Sequence, residues 1–237
     1  MKKVLSDTYR WKVCEVVHEA PKVSSLILEA EGKRPSFISG QYLTIRLPGF
    51  EPAEGKSYSI SSSEETSLVR LTIKEMGTFS KALCALKVGD VITTSAPYGF
   101  FYPEKNDEGD LIFVAGGIGI TPCISIIKTL AREKYSKRVF LFYSSRTIVD
   151  TIIKKELSSI QTSFPQMTVI FHVTQEVSPV PFYNNGRISG KSIINQVSSA
   201  HEADFFVCGS INFTKGIWSE LRSVNIPSTQ IYTEGYF

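Results

Sequence analysis

Residues 111–122, with the sequence LIFVAGGIGITP, restrict the possible folds of this chain more than any other segment. An apolar run suits a buried strand, and the glycines after it allow a sharp turn and the close approach of a ligand. These glycines are Gly116, Gly117 and Gly119. Thr121 suits the N-cap and Pro122 the first position of a helix, whose exposed N–H groups favour a diphosphate. The segment therefore predicts a dinucleotide site, with a plain connection between strand and helix as the alternative.

Strands and helices alternate through the rest of the C-terminal part, which predicts a parallel sheet with helices on both faces. The predicted strands are 111–115, 139–143, 167–173, 205–208 and 230–233. The predicted helices are 148–160, 192–199, 214–224 and the one after Gly119, whose apolar side carries Ile124, Ile127, Leu130 and Ala131.

The N-terminal part has short strands separated by turn residues, a pattern typical of a closed or nearly closed barrel. The predicted strands are 9–17, 24–29, 42–47, 57–61, 68–74 and 91–95, with one helix at 80–86. A polar, turn-rich segment, 103–110, then separates the two patterns. The chain is therefore predicted to have two domains, residues 1–104 and residues 105–237.

Two further segments could bind a ligand in the barrel. Tyr58 and the hydroxyls beside it could contact a flat heterocycle, with Lys56 near its phosphate; cross-strand packing of Tyr58 is the alternative. The loop that begins at Gly77 leads into a helix and is a second candidate phosphate site. Simple capping of that helix by Ser80 is the alternative there.

The last motifs lie near the C-terminus. Cys208 and Gly209 end a predicted strand, where a side chain would face the ligand crevice, unless Cys208 is a buried structural cysteine. The final residues, YTEGYF, end the chain on two aromatic side chains. Such an end suggests docking against another group, although a last strand that completes the sheet would also explain it.

The composition excludes several classes of function. A net charge of +3 without blocks of like charge gives no support for nucleic-acid binding. The four cysteines form no C-x-x-C pair, and none of the three histidines lies near a cysteine pair, so no metal or iron–sulfur site is expected. Neither a membrane-spanning run nor a secretory signal is found, so a cytoplasmic protein without membrane contact is expected. An organic cofactor would have to carry any electrons.

Together and in this order, the motifs resemble the ferredoxin-NADP⁺ reductase superfamily over essentially the whole chain. The resemblance implies an antiparallel Greek-key β-barrel that binds FAD, less readily FMN, followed by an α/β domain with a parallel sheet that binds NADPH or NADH. It implies hydride transfer from the nicotinamide to the flavin. Electrons would then pass to a small redox protein, such as ferredoxin or flavodoxin, or to an oxygenase component.

The resemblance also implies roles for individual residues. Ser59 would lie near flavin N5, Glu234 would orient Ser59, and Cys208 would lie beside nicotinamide C4. Tyr236, or else Phe237, would cover the flavin ring. The implied cofactor-binding residues are Lys56, Ser57, Tyr58, Ser59, Lys74, Gly77, Thr78, Phe79, Ser80, Gly116, Gly117, Gly119, Thr121, Pro122, Ser145, Arg146, Cys208, Gly209, Tyr236 and Phe237.

Three questions stay open at this point. Lys56 stands where the family has arginine, and lysine offers a phosphate only a compact charge in place of a rigid fork. Ser145 and Arg146, after the second α/β strand, permit NADPH, because an arginine there can accommodate a 2′-phosphate. A stand-alone flavin reductase and a non-catalytic redox-sensing module are the rival functions, and retention of Ser59, Cys208 and Glu234 argues against the module.

Overall fold

A computed structural model describes residues 8–104 and 109–236 and contains two six-stranded sheets. The elements of the N-terminal sheet are β1 Thr8–Ala20, β2 Val23–Ala30, β3 Tyr42–Arg46, β4 Lys56–Ser59, β5 Val69–Lys74, α1 Thr78–Cys84 and β6 Val91–Ser95. Its strands are antiparallel in the order β4-β3-β6-β1-β2-β5. A backbone bridge between Ile60 and Leu71 joins the two end strands and closes the barrel.

The second sheet is parallel. Its elements are β7 Leu111–Gly116, α2 Ile120–Arg132, β8 Val139–Ser145, α3 Lys154–Ser163, β9 Met167–Val173, β10 Tyr183–Asn185, α4 Gly190–Gln196, β11 Asp204–Ser210, α5 Ile211–Ser223 and β12 Ile231–Tyr236. The strand order is β10-β9-β8-β7-β11-β12. Alternate residues of β7 belong to two apolar clusters on opposite faces of the sheet. This double burial explains the continuous apolar runs of its central strands.

The predicted fold class is confirmed: an antiparallel barrel precedes a parallel α/β sheet. The proposed boundary after Glu104 adjoins residues outside the described part of the chain, so it stays a prediction. Phe237 also lies outside the described residues. Among the described helices, none combines the length and the apolar character needed to span a bilayer.

Both predicted helix starts beside the glycine loops are wrong in detail. The turn Gly117–Gly119 is a 3₁₀ turn that runs directly into α2 at Ile120, so Thr121 and Pro122 lie inside the first turn. Thr121 Oγ1 donates to the Ile118 carbonyl instead of capping the helix. Helix α1 begins at Thr78, so Ser80 is its third residue and not its cap.

The predicted helix at 148–160 is wrong over its first half, because α3 begins only at Lys154. Ile153 has a left-handed backbone (φ 62°), which interrupts a helix. Ile152 and Ile153 are nevertheless buried, so the apolar residues of this segment fill the core from a loop. The short strand β10 was not predicted, since its polar YNN sequence lacks an apolar period.

Candidate active site

A cleft of about 630 Å³ opens at the carboxyl ends of the parallel strands, as predicted for a nucleotide site. The predicted residues that line it are Lys74, Gly116, Gly117, Ser145, Arg146 and Tyr236. The barrel contributes Pro21, Val23 and Met76 to the opposite wall. The cleft therefore lies between the domains, where a ligand of the α/β domain would also contact the barrel.

The glycine loop at the base of the cleft has two glycines with different tasks. Gly117 has a left-handed backbone (φ +54°), and no atom lies within 4 Å of where its Cβ would stand, so its backbone faces open space. At Gly119 a Cβ would lie 2.2 Å from the Cys208 carbonyl oxygen. Gly119 therefore allows the loop to pack directly on β11, and Gly117 leaves room for a diphosphate. The loop fits a dinucleotide.

The hydroxyl of Tyr236 joins the two domains at one point. It lies 3.0 Å from Ser59 Oγ on the barrel and 3.4 Å from Thr121 Oγ1 on α2. Cys208 Sγ is 3.3 Å from the same oxygen. Residues that are far apart in the sequence thus meet at one hydroxyl group.

Cys208 is fully buried on β11. Burial raises the pKa of its thiol well above the usual value, with smaller contributions from Cys123 and Glu234. The thiol is therefore neutral at physiological pH and a poor nucleophile. This agrees with a packing role for Cys208.

Glu234 lies beside Cys208 in the sheet, since the two residues are paired between β11 and β12. Among the described residues its Oε2 atom is buried and has no hydrogen-bond partner. Ser59 Oγ bonds to Tyr236, and the orientation of Ser59 by Glu234 stays a prediction. Burial raises the pKa of Glu234 to about 7. A carboxyl group with a pKa near 7 can hold or release a proton at physiological pH.

The raised pKa of Glu234 predicts a pH-dependent stability. The folded protein keeps a proton up to about pH 7 that the unfolded chain releases above its ordinary value of 4.5. The free energy of unfolding should therefore fall as the pH rises between these values. Glu234→Gln should be more stable than the wild type by about 2–3 kcal/mol near pH 8, and the gap should close toward about pH 5. Urea unfolding at both pH values checks this, and a gap independent of pH would contradict it.

The predicted flavin strand presents an aromatic surface. Tyr58 is half-buried, and its ring stacks on Phe79 with centroids 6.4 Å apart. Lys56 Nζ lies 5.7 Å from the centroid of the same Phe79 ring. Phe79 itself is only 1% exposed, so its side chain supports Tyr58 and Lys56 from the core and is not available to a ligand. Of these three side chains, Tyr58 and Lys56 are the two that remain accessible.

The second loop, at Gly77, is partly used by its own helix. Ser80 Oγ accepts from the Met76 amide at 2.7 Å and the Gly77 amide at 3.1 Å. Gly77 and Thr78 are exposed. Ser57 is also exposed, and its Oγ lies 3.1 Å from Thr44 Oγ1. The Gly77 amide is therefore already bonded to Ser80, and Thr78 is the exposed residue of this loop that remains open to a phosphate.

At its far end the cleft is lined by the predicted Arg146 and by three residues that were not predicted from the sequence: Asp150, Arg187 and Glu220. Arg146 forms an ion pair with Asp150, whose carboxylate oxygens lie 3.2 Å from its nitrogens. Arg187 and Glu220 also line the cleft. Arg187 follows the unpredicted strand β10, and without that strand nothing in the sequence placed it near Arg146. Arg187 is an exposed cation with no ion pair among the described residues.

A possible metal cluster lies elsewhere. Glu64, Glu65 and Glu133 come together on the surface, but Arg132 forms ion pairs with both Glu65 and Glu133. The four cysteines are free thiols. These side chains offer no support for a redox metal.

Comparison with known proteins gives the family. An oxidoreductase FAD-binding domain model matches residues 12–102, and an oxidoreductase NAD-binding domain model matches residues 113–218. Oxidoreductase NAD-binding domain-containing protein 1 of Bos taurus is 30% identical in an alignment that covers 95% of this chain and 80% of the bovine protein.

Two solved structures share the whole fold. One is the flavohem-like FAD/NAD binding domain of nitric oxide dioxygenase from Vibrio cholerae O1 biovar El Tor, with a TM-score of 0.85, 21% identity, and coverage of 96% of this chain and 98% of that one. The other is a ferredoxin NADP⁺ reductase from Neisseria gonorrhoeae with bound FAD and NADP, with a TM-score of 0.80, 21% identity, and coverage of 97% and 99%. The two domain models and the bovine relative, together with this fold, show that the chain belongs to the ferredoxin-NADP⁺ reductase superfamily and is an NAD(P)H-dependent oxidoreductase that uses FAD.

Proposed function

We propose that this protein takes a hydride from NAD(P)H and passes the electrons through FAD to a redox protein in the cytoplasm. The observation that carries the proposal is the Tyr236 hydroxyl, which contacts Ser59 of the barrel and both Thr121 and Cys208 of the α/β domain. A flavin held by the barrel and a nicotinamide held by the glycine loop would meet at this point. FAD supplies the step that side chains cannot, since it accepts a hydride and releases electrons to an acceptor.

The residues of this chain hold and separate the two ligands. Tyr58 would face the flavin ring and Lys56 its phosphate. The open backbone at Gly117 would take the nucleotide diphosphate. Phe237, the last residue, is the weaker candidate for the aromatic cover, because Tyr236 already lies against Ser59.

Four groups act at the reacting centre in this proposal. Ser59 Oγ would hydrogen-bond the reacting edge of the flavin, and the buried Cys208 thiol would align the nicotinamide by contact. Glu234 exchanges a proton near neutral pH. Tyr236 would cover the flavin and would move aside when the nicotinamide enters, which would release its hydrogen bond to Ser59.

The acceptor is proposed by likeness to relatives. The gonococcal relative is a ferredoxin NADP⁺ reductase, and the Vibrio domain belongs to a nitric oxide dioxygenase. By likeness to these proteins, the acceptor would be a small redox protein or an oxygenase component. A stand-alone flavin reductase, which would release reduced flavin, is the competing function.

Steady-state kinetics separates these two functions. The FAD-loaded protein is assayed under anaerobic conditions with NAD(P)H and either a ferredoxin, a flavodoxin or free FAD and FMN. The proposal expects turnover that saturates with a protein acceptor without any free flavin. Saturation with free flavin alone would replace it by the flavin-reductase function.

Lys56→Ala should weaken FAD binding about 5- to 150-fold, because a charged hydrogen bond contributes roughly 1–3 kcal/mol. Lys56→Arg should bind FAD at least as tightly, since arginine grips a phosphate with two donors. Equilibrium titration of the apoprotein with FAD measures both. Unchanged affinity in the alanine variant would show that another group binds the phosphate.

Nucleotide choice should depend on the ion pair between Arg146 and Asp150. Asp150→Asn frees Arg146 for a 2′-phosphate and should lower the KM for NADPH about tenfold relative to that for NADH. Arg146→Ala should raise the KM for NADPH more than that for NADH. The KM for NADPH of Arg187→Ala shows whether Arg187 also contributes to binding of the 2′-phosphate. Equal effects of Arg146→Ala on both nucleotides would remove the argument for 2′-phosphate recognition.

A further inference from the structure

Helix α2 has a polar stripe on the side that faces the barrel. The apolar side of α2 is buried against the parallel sheet, as the sequence predicted. The opposite stripe follows the helical spacing i, i+4, i+7, i+8, i+11. Its members are Thr121, Ser125, Lys128, Thr129 and Arg132. Each of the last four contacts the barrel domain through a hydrogen bond or an ion pair.

The central contacts of this stripe reach the backbone just after β4, the predicted flavin strand. Ser125 Oγ donates to the Ser62 carbonyl at 2.5 Å, and Lys128 Nζ donates to the Ser61 carbonyl at 3.1 Å. These carbonyls follow Ser59 by two and three residues. Thr121, which contacts Tyr236, lies one helical turn before Ser125. One helix thus contacts the nucleotide end of the reacting centre and the strand that carries Ser59.

An ion network surrounds these contacts. Glu156 of α3 lies 2.5 Å from Lys128 and 2.7 Å from Arg70 of the barrel strand β5. Arg70 also lies 2.5 Å from Glu19 and donates to Ser25 Oγ at 3.0 Å. The side chains of Lys128, Arg70 and Glu19 are less than one-fifth exposed. Water screens such pairs less than surface pairs, so they resist separation of the domains.

We propose that Ser125, Lys128 and Glu156 are positioning residues that set the distance between the flavin strand and the nucleotide loop. This inference rests on the hydride transfer of the proposed function. An apolar contact would hold the domains together but would let them slide, because apolar contact is not directional. Hydrogen bonds to two successive carbonyls fix one register between α2 and the strand. Misplacement of reacting groups by about 1 Å can cost on the order of a hundredfold in rate.

The test compares FAD-loaded variants of the whole chain. Lys128→Met removes the central cation, and Ser125→Ala removes one hydroxyl at little cost in volume. Lys155→Met, an exposed lysine on α3, is the matched control. Stopped-flow mixing with NAD(P)H gives the rate of flavin reduction, titration gives the affinities for nucleotide and FAD, and hydrogen exchange reports the backbone of residues 57–66.

Lys128→Met is expected to slow flavin reduction at saturating nucleotide at least tenfold, and Ser125→Ala about threefold. Both affinities should stay within about twofold, while exchange in residues 57–66 rises. Lys128→Arg should restore most of the rate, since it can reach the same oxygens. The control should match the wild type in every measurement.

Wild-type reduction rates in both Lys128→Met and Ser125→Ala would overturn the inference. A slower rate that is fully explained by weaker nucleotide or FAD binding would overturn it too, because the residues would then serve binding and not position. If Lys128→Met does not fold, Ser125→Ala decides alone. Failure of the proposed function looks different: the wild-type protein itself would not reduce its flavin with either nucleotide.

Discussion

Ser59→Ala is expected to slow reduction of the bound flavin by roughly 10²-fold while NAD(P)H affinity stays within about twofold. Ser59 Oγ lies 3.0 Å from the Tyr236 hydroxyl, which the entering nicotinamide would displace. Once this bond is released, the Ser59 hydroxyl would be free to stabilise charge that develops on the flavin during hydride transfer. Because the interaction strengthens in the transition state, its loss should reduce the rate far more than the affinity.

Stopped-flow reduction of the FAD-loaded protein separates these two quantities. Ser59→Thr keeps the hydroxyl and suits a strand, so it should retain most of the rate. Ser67→Ala, an exposed serine in the loop before β5, serves as the control. A wild-type reduction rate in Ser59→Ala would mean that the proposed site is wrong even though the fold is right.

Gly119→Ala is expected to destabilise the protein by at least about 2 kcal/mol. The added Cβ would lie 2.2 Å from the Cys208 carbonyl oxygen and 2.7 Å from the Gly209 amide nitrogen. Both atoms belong to β11, which is paired on both sides by β7 and β12 and cannot give way cheaply. The loop would have to move off the sheet, and nucleotide binding should fail with it.

Gly117→Ala is the matched comparison. Its Cβ meets no atom within 4 Å, so the cost to stability is confined to the left-handed backbone, about 1–2 kcal/mol. The methyl group would stand in the cleft and should weaken nucleotide binding without unfolding the domain. Urea unfolding and nucleotide titration of both variants check this. Equal stabilities of Gly119→Ala and the wild type would contradict the packing described for the loop.

Local patterns predicted much of the fold. The strand, glycine loop and helix around Gly117 were predictable because apolar periodicity and glycine content are properties of neighbouring residues. The same reasoning failed at Ile153, where apolar residues at helical spacing fill the core from a loop. It also failed at Ser80, since the helix starts before the residue that looks most like a cap.

The site depended more on long-range contacts. The meeting of Ser59, Cys208 and Tyr236 followed from the resemblance and not from any local pattern, since the contacts span most of the chain. Asp150 and Arg187 could not be placed without the loop after β8 and the strand β10. Lys128 lies outside the apolar spacing of its helix, and nothing in the sequence distinguishes it from a surface lysine. Only the packing of two domains shows that its stripe is an interface.

The most direct test of the account is the visible spectrum of the purified protein, loaded with FAD and mixed with NADPH or NADH without oxygen. The account predicts stoichiometric FAD binding, then rapid and complete loss of the visible flavin absorption with at least one nucleotide. Exposure to oxygen or to a protein acceptor should restore the absorption. A protein that binds no FAD, or that keeps its flavin absorption unchanged with both nucleotides, would contradict the central claim.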